Sequence, residues 1–310
     1  MKVLFMGTPD FAVFSLRALV EAGHNICGVV TQPDKPRGRG YTLTPPPVKV
    51  TANEYGIPVY QPATLKDEAF SELLRELCPE VCVVVAYGKI LPESVLRFPK
   101  YGCVNVHGSL LPEYRGAAPM QRAIIDGKKV TGITTMYMDV GLDTGDMLLS
   151  EQVDILEDDN FEDIHDKLGA LGASLIVRTL EALENNTAPR IPQDNTKATY
   201  AAKITKEDCL IDFSKTAAEL HDLIRGLSPI PLALTHTPDG KLLKVSAARV
   251  TKASGKCGAC GEIISLDGGI TVACGEGALT LLSVLPEGKS KMPATDFIRG
   301  RKVSIGDILK

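Results

Sequence analysis

The sequence predicts an α/β protein: a Rossmann-like, mostly parallel sheet domain followed by a small OB-like β-barrel domain. Three observations carry that expectation. In the first half, short apolar runs alternate with amphipathic stretches at helical spacing. That βαβα rhythm places helices on both faces of a parallel sheet. The stretch "NNTAPRIPQDNTKATYAAK", residues 185–203, is polar, holds two prolines and has no period, so it reads as a connection. Beyond it the chain breaks into short strands divided by Gly and Asp, the texture of a small barrel. With 310 residues, two domains suit the chain better than one. The boundaries drawn from these changes are 1–188, a linker at 189–205, and 206–310.

The elements follow in order. Lys2–Met6 is an apolar first strand, too short for the apolar segment of a secretory signal. Phe11–Glu21 places Val13, Leu16, Leu19 and Val20 on one helical face, with Asp10 as its N-cap. Ile26–Thr31 is a second strand, and Ala69–Leu77 is a helix with Phe70, Leu73, Leu74 and Leu77 in register. Val81–Ala86 and Val104–His107 are further strands, the former almost purely apolar, as strands buried on both faces are. "TGITTMYM" and "DMLLSEQVDI" form a strand pair around a turn with Gly141 and Gly145, and a long helix fills roughly 161–183. A short helix over about 217–225 precedes the barrel strands, which close with "GRKVSIGDIL".

Composition limits the function classes. Hydrophobic residues make up 44% and charged residues 23%, enough to bury a core, and no apolar run approaches the ~18–20 residues of a membrane span. The net charge of −4 excludes a strongly basic nucleic-acid binder. Residues 204–310, with 14 Lys and Arg against 12 Asp and Glu, are nevertheless slightly basic at +2. Eight cysteines without a secretory signal point to a reducing cytoplasm.

Several motifs invite chemistry. "MGTPDF" follows the first strand but has a single Gly and a Pro that removes a donor, so it does not form a dinucleotide-phosphate loop. Cys257 and Cys260 have zinc-like spacing, yet Cys274 would be only a third ligand, and a Gly-rich turn accounts for the pair. "TQPDKPRGRGYTLTPPPVK", residues 31–49, reads as a basic loop able to meet phosphates through Lys35, Arg37, Arg39 and Lys49.

His107 stands apart from the other four histidines because it ends a strand, where open α/β sheets collect ligands. Asn105 lies two residues earlier and therefore shares its face. An amide donor beside an imidazole can stabilise an oxyanion and move a proton; a His satisfied by backbone is the competing reading. A carboxylate to orient the ring is available in "MDVGLDTGDM", from Asp139, Asp143 or Asp146.

"NVHGSLLPEYRGAAP" followed by "GLDTG" resembles the signature of the folate-dependent formyltransferases. "VLFMGTPDFAV", "VVTQPDKPRGRG", "VVVAYGKILP", "GLSPIP" and "MPATDFIRGRKVSIGDIL" fit the same family in order, along nearly the whole chain. The resemblance implies that Asn105, His107 and Asp143 are catalytic. It implies that Ser109, Leu110, Leu111 and Pro112 border the folate site, and that Arg39 contacts tRNA. It also implies 10-formyltetrahydrofolate as formyl donor, initiator methionyl-tRNA as acceptor and no metal, while the hydropathy calls for no membrane, the cysteines suit the cytoplasm, and nothing in the sequence suggests more than a monomer. "SPIPLAL" departs from the family form, which has Gly and Trp nearby; this chain has no Trp. Three alternatives remain open: a formyltransferase acting on an amino sugar nucleotide, an enzyme that hydrolyses formyltetrahydrofolate, and a non-catalytic RNA-binding protein. The basic loop and the slightly basic second half favour tRNA over a sugar nucleotide.

Overall fold

The computed structural model describes residues 1–37 and 42–310. They form two compact units: Met1–Gly116 with Thr131–Val153 and His165–Tyr200, and Ala117–Val130 with Asp154–Ile164 and Ala201–Lys310.

A seven-stranded sheet organises the first unit. Its order is Met147–Asp154, Val130–Tyr137, Cys103–His107, Val81–Val85, Lys2–Gly7, Asn25–Val30, Val59–Tyr60. The strands from Cys103–His107 to Val59–Tyr60 are all parallel to their neighbours. Val130–Tyr137 then runs antiparallel to Cys103–His107. The mostly parallel sheet anticipated from the apolar runs is therefore present, with one strand, Val59–Tyr60, too short to register in the sequence.

Alternation decides which side chains meet which helices. Leu4, Met6, Val30, Cys82 and Val84 share one cluster with Phe70 and Leu74 of the helix Glu68–Leu77. Asp67 caps that helix by accepting from Phe70 N at 3.0 Å. The helix Asp10–Glu21 begins one residue before expectation: extended Pro9 occupies the N-cap, and Asp10 lies in the first turn. Proline's fixed φ lets the helix start directly behind it. The helix Phe161–Glu184 approaches the sheet through glycine: a Cβ on Gly172 would stand 3.1 Å from Val106.

Lys2–Gly7 lies mid-sheet, with the chain winding outward first to Asn25–Val30 and later to Val81–Val85. The order thus reverses beside Lys2–Gly7, the place where such sheets leave a crevice at the strands' carboxyl ends. There Thr8 Oγ1 and Gln32 Nε2 both donate to Tyr87 O, each at 3.1 Å, tying three strand ends together.

The second unit carries an antiparallel six-stranded sheet in the order Ala233–His236, Leu242–Lys252, Ala278–Pro286, Ile270–Ala273, Ile263–Ser265, with Met292–Pro293 beside Ala278–Pro286. Residues 307–310 bond to both edges. His236 and Lys310 exchange backbone hydrogen bonds at 2.7 and 3.0 Å, while Ile263 N donates to Asp307 O at 2.8 Å. The final residues thereby close the sheet towards a barrel. Leu220 and Ile224 of the helix Ala217–Gly226 join Leu243, Val245, Val272, Leu279 and Leu281 in its core.

Candidate active site

The strand Cys103–His107 places Asn105 and His107 on one face because side chains alternate. Val106 points the other way, towards Gly172. His107 is buried at 6% exposure, and Asn105 is half-buried. The Asn105 carboxamide makes no hydrogen bond among the described residues, an open position for a ligand.

His107 is anchored at one nitrogen. Its Nε2 stands 2.9 Å from Tyr114 O, and since a carbonyl only accepts, Nε2 carries the proton there. Nδ1 faces Asp143 Oδ2 at 3.7 Å, too far for a hydrogen bond. The strand-histidine reading in which backbone satisfies the ring is thus half true: one nitrogen is satisfied, and the other is free for chemistry.

Asp143 is held by its backbone as well as its side chain. Its φ of +52° is left-handed, unusual outside glycine though tolerated by Asp. Its Oδ2 accepts from Gly116 N at 2.8 Å. Asp139 shapes the same loop, accepting from Gly141 N at 3.0 Å and Thr144 Oγ1 at 2.7 Å. Gly145 cannot be replaced freely: a Cβ there would sit 1.9 Å from Tyr137 O. Asp146, the third carboxylate of the motif, turns outward to Arg190 Nε at 2.6 Å and raises that guanidinium's pKa. Of the three carboxylates only Asp143 faces His107.

The Ser109–Pro112 segment is tied down by Thr134, whose hydroxyl donates to Ser109 O at 2.8 Å and accepts from Leu111 N at 3.2 Å. Ser109 is fully buried and its own hydroxyl donates to Glu113 O at 2.7 Å. Ser109 therefore shapes the turn from inside, while Leu110 and Pro112 are half-buried. Arg39 lies outside the described residues.

Sequence reasoning missed a polar group behind Asp143. Gln193 Nε2 donates to Asp143 O at 2.8 Å and to Gly145 O at 2.7 Å. Its Oε1 accepts from Arg115 Nε at 3.0 Å and Nη2 at 2.8 Å, and Arg115 Nη2 also reaches Asn195 Oδ1 at 2.8 Å. Gln193 and Asn195 fall in the stretch read as a linker. The signal that could have found them is Arg115 itself, an arginine that needs acceptors wherever it is buried.

Among the described residues no group of three or more His, Cys, Asp or Glu side chains is placed to hold a metal ion. Cys257 and Cys260 are free thiols near the surface.

Comparison with known proteins shows the family. The family described as formyl transferase matches residues 1–180, and the formyl transferase C-terminal domain matches 203–302. The chain belongs to the formyl transferase family. The methionyl-tRNA formyltransferase of Pelotomaculum thermopropionicum is 50% identical over 310 residues, covering 100% of this chain and 98% of the relative. That of Syntrophus aciditrophicus is 48% identical, covering 99% and 98%. Among solved structures, the N-formyltransferase of Helicobacter canadensis, in complex with folinic acid and dTDP-3-aminofucose, is 20% identical. It superposes with a TM-score of 0.65 over 91% of this chain and 99% of that one, a likeness of fold. This member of the family is an enzyme of formyl transfer, and the α/β-plus-β architecture anticipated from the sequence is the family's own. No described helix is long and apolar enough to cross a membrane.

Proposed function

We propose that the chain transfers the formyl group of 10-formyltetrahydrofolate to the amino group of initiator methionyl-tRNA, with Asn105, His107 and Asp143 as catalytic residues. Relatives named methionyl-tRNA formyltransferase, 46–50% identical over the full chain, support this acceptor over an amino sugar nucleotide and over a non-catalytic RNA-binding role. The observation that carries the site assignment is the unpartnered Asn105 carboxamide beside a His107 whose Nδ1 is not bonded to Asp143.

The chemistry follows from these groups. The acceptor amine must be neutral to attack, and near neutral pH a minority fraction already is, because α-amino groups titrate at about 7.7–8.0. Attack on the formyl carbon forms the new C–N bond and moves charge onto oxygen. Asn105 Nδ2 donates to that oxyanion, and protonated His107 donates from Nδ1, its Nε2 proton being held by Tyr114 O. Asp143 faces Nδ1, with Oδ2 at 3.7 Å. The amine gives up one proton to Asp143, and that proton returns to N10 of the folate as its bond to the formyl carbon breaks. Formyl-methionyl-tRNA and tetrahydrofolate leave.

In this reading Ser109, Leu110, Leu111 and Pro112 form the folate wall, with Ser109 acting through the turn it holds. Residues 1–188 carry catalysis, 189–205 connect, and 206–310 add tRNA affinity. Arg39 contacts the tRNA, and the protein works as a cytoplasmic monomer.

The test is transfer of labelled formyl from 10-formyltetrahydrofolate to methionyl-tRNA, with free methionine and a dTDP-amino sugar as controls. Label should appear only in the tRNA ester. Equal labelling of free methionine, or labelling of the sugar nucleotide instead, would reject the acceptor.

A further inference from the structure

Arg115 is the largest fully buried side chain among the described residues, at 2% exposure, yet no carboxylate meets its guanidinium. Its acceptors are two amide oxygens, Gln193 Oε1 and Asn195 Oδ1. A buried charge satisfied only by neutral dipoles is an expensive way to stabilise a fold, since a paired carboxylate or an apolar side chain would cost less. The arrangement instead fixes one side chain's direction. A carboxamide can flip, exchanging its oxygen and nitrogen ends. With two Arg115 donors on Oε1, a flip of Gln193 would set its NH2 against the guanidinium and its oxygen against Asp143 O and Gly145 O. Arg115 therefore holds Nε2 on those two carbonyls, at 2.8 and 2.7 Å.

Those carbonyls belong to the one left-handed residue of the loop, Asp143, whose carboxylate is aimed at His107 Nδ1, and to Gly145 two residues on. The backbone that follows a left-handed residue must be held for that conformation to persist. We propose that Gln193, oriented by Arg115, is a positioning residue for formyl transfer: it clamps the backbone around Asp143 so that the carboxylate faces His107. The inference rests on the reading that Asp143 takes part in the reaction.

Gln193→Glu separates the two hydrogen-bonding sides. The new carboxylate still accepts from Arg115, but the donor to Asp143 O and Gly145 O becomes an acceptor. Steady-state kinetics against both substrates should show kcat lowered by about 10–100-fold, the penalty of a misplaced catalytic group. Both KM values should stay within about threefold, because the lost interaction is not ground-state binding. The decisive readout is the cycle with Asp143→Asn. Acting through Asp143, Gln193→Glu should cost less than about twofold in that background, since residues working as a unit are non-additive. Parental kcat in Gln193→Glu, or losses that multiply in the double variant, would overturn the inference. Should Gln193→Glu not fold, Gln193→Met removes the same donors without a charge and carries the same expectations. Parental kcat in Asp143→Asn alone would instead reject the role of Asp143 itself, whatever Gln193 does.

Discussion

The two units each bury an arginine, and they use it oppositely. Arg225 in the second unit, 6% exposed, has a carboxylate partner: Asp222 Oδ1 lies 2.7 Å from its Nε, and Leu156 O and Asp159 O accept from Nη1 at 3.1 and 2.8 Å. Its charge is neutralised, and its donors pin two loop carbonyls. Arg115 in the first unit meets only amide oxygens. The wider surroundings repeat the contrast. Around Arg225 the helix Ala217–Gly226 has a reciprocal capping box between Thr216 and Glu219. Around Arg115 stand left-handed Tyr114 and Asp143 and an Asn105 amide left open. Where polar groups are mutually satisfied, the structure is stabilising itself; where they are left open or strained, they are held for a ligand.

The comparison can be broken first at its stabilising end. Arg225→Ala leaves the Asp222 carboxylate and two carbonyls without their donor, and removing one partner of such a buried pair costs about 3–5 kcal/mol. Denaturant unfolding should show the loss, with little change in kcat for the folded fraction. An unmoved midpoint would remove the distinction between the two arginines.

At the reactive end, His107→Ala and Asn105→Ala should each lower turnover by about 100–1,000-fold while substrate binding persists, the cost of losing one oxyanion donor. Single-turnover rates at saturating folate and tRNA would read this directly. Near-parental rates in both would show that the open polar groups serve something other than transfer.

Packing under the loop gives a third, somewhat smaller effect. Gly145→Ala would drive a methyl into Tyr137 O, 1.9 Å from the ideal Cβ position, and so move the Asp143 loop. A fall in kcat of about 100-fold is expected, the size associated with misplacement by roughly an ångström. Retained kcat would mean that the loop tolerates displacement.

The smallest effect sharpens the stabilising side through pH. Arg122 forks onto Asp208 at 3.0 and 2.9 Å and, helped by Thr205 N, holds the Asp208 carboxyl at about 2. Unfolded, an Asp titrates near 3.9, so the folded value is the lower one. Its stabilisation is present above about pH 4 and disappears as pH falls towards about 2. Both side chains remain 21% and 27% exposed, so screening keeps the contribution at about 1 kcal/mol or less. Unfolding free energies of the parent and Asp208→Asn should differ at pH 5 and converge near pH 2. A constant difference across that range would exclude this pair as its source.

Much of this was legible in the chain. The strands Lys2–Gly7, Val81–Val85 and Cys103–His107 lie within a residue of where the apolar runs put them. A strand buried on both faces has no polar position to interrupt it. Asn105 and His107 share a face because alternation is a property of any strand. The N-cap at Pro9 rather than at Asp10 was not legible because Asp is a good cap, whereas Pro's fixed φ prevailed.

Period and composition act between neighbours, and so the sequence alone determined the layered architecture, the pairing of Asn105 with His107 and the family. Tertiary structure alone decided how Asp143 faces the histidine, that Ser109 turns its hydroxyl inward, and that residues 307–310 bond both edges of the second sheet. It alone brought Arg115 to Gln193, 78 positions away, and Gln193 to Asp143, 50 positions away. Contacts at such separations depend on the path of loops, which have no period, and a stretch that reads as a polar connection can be the part that aims the site.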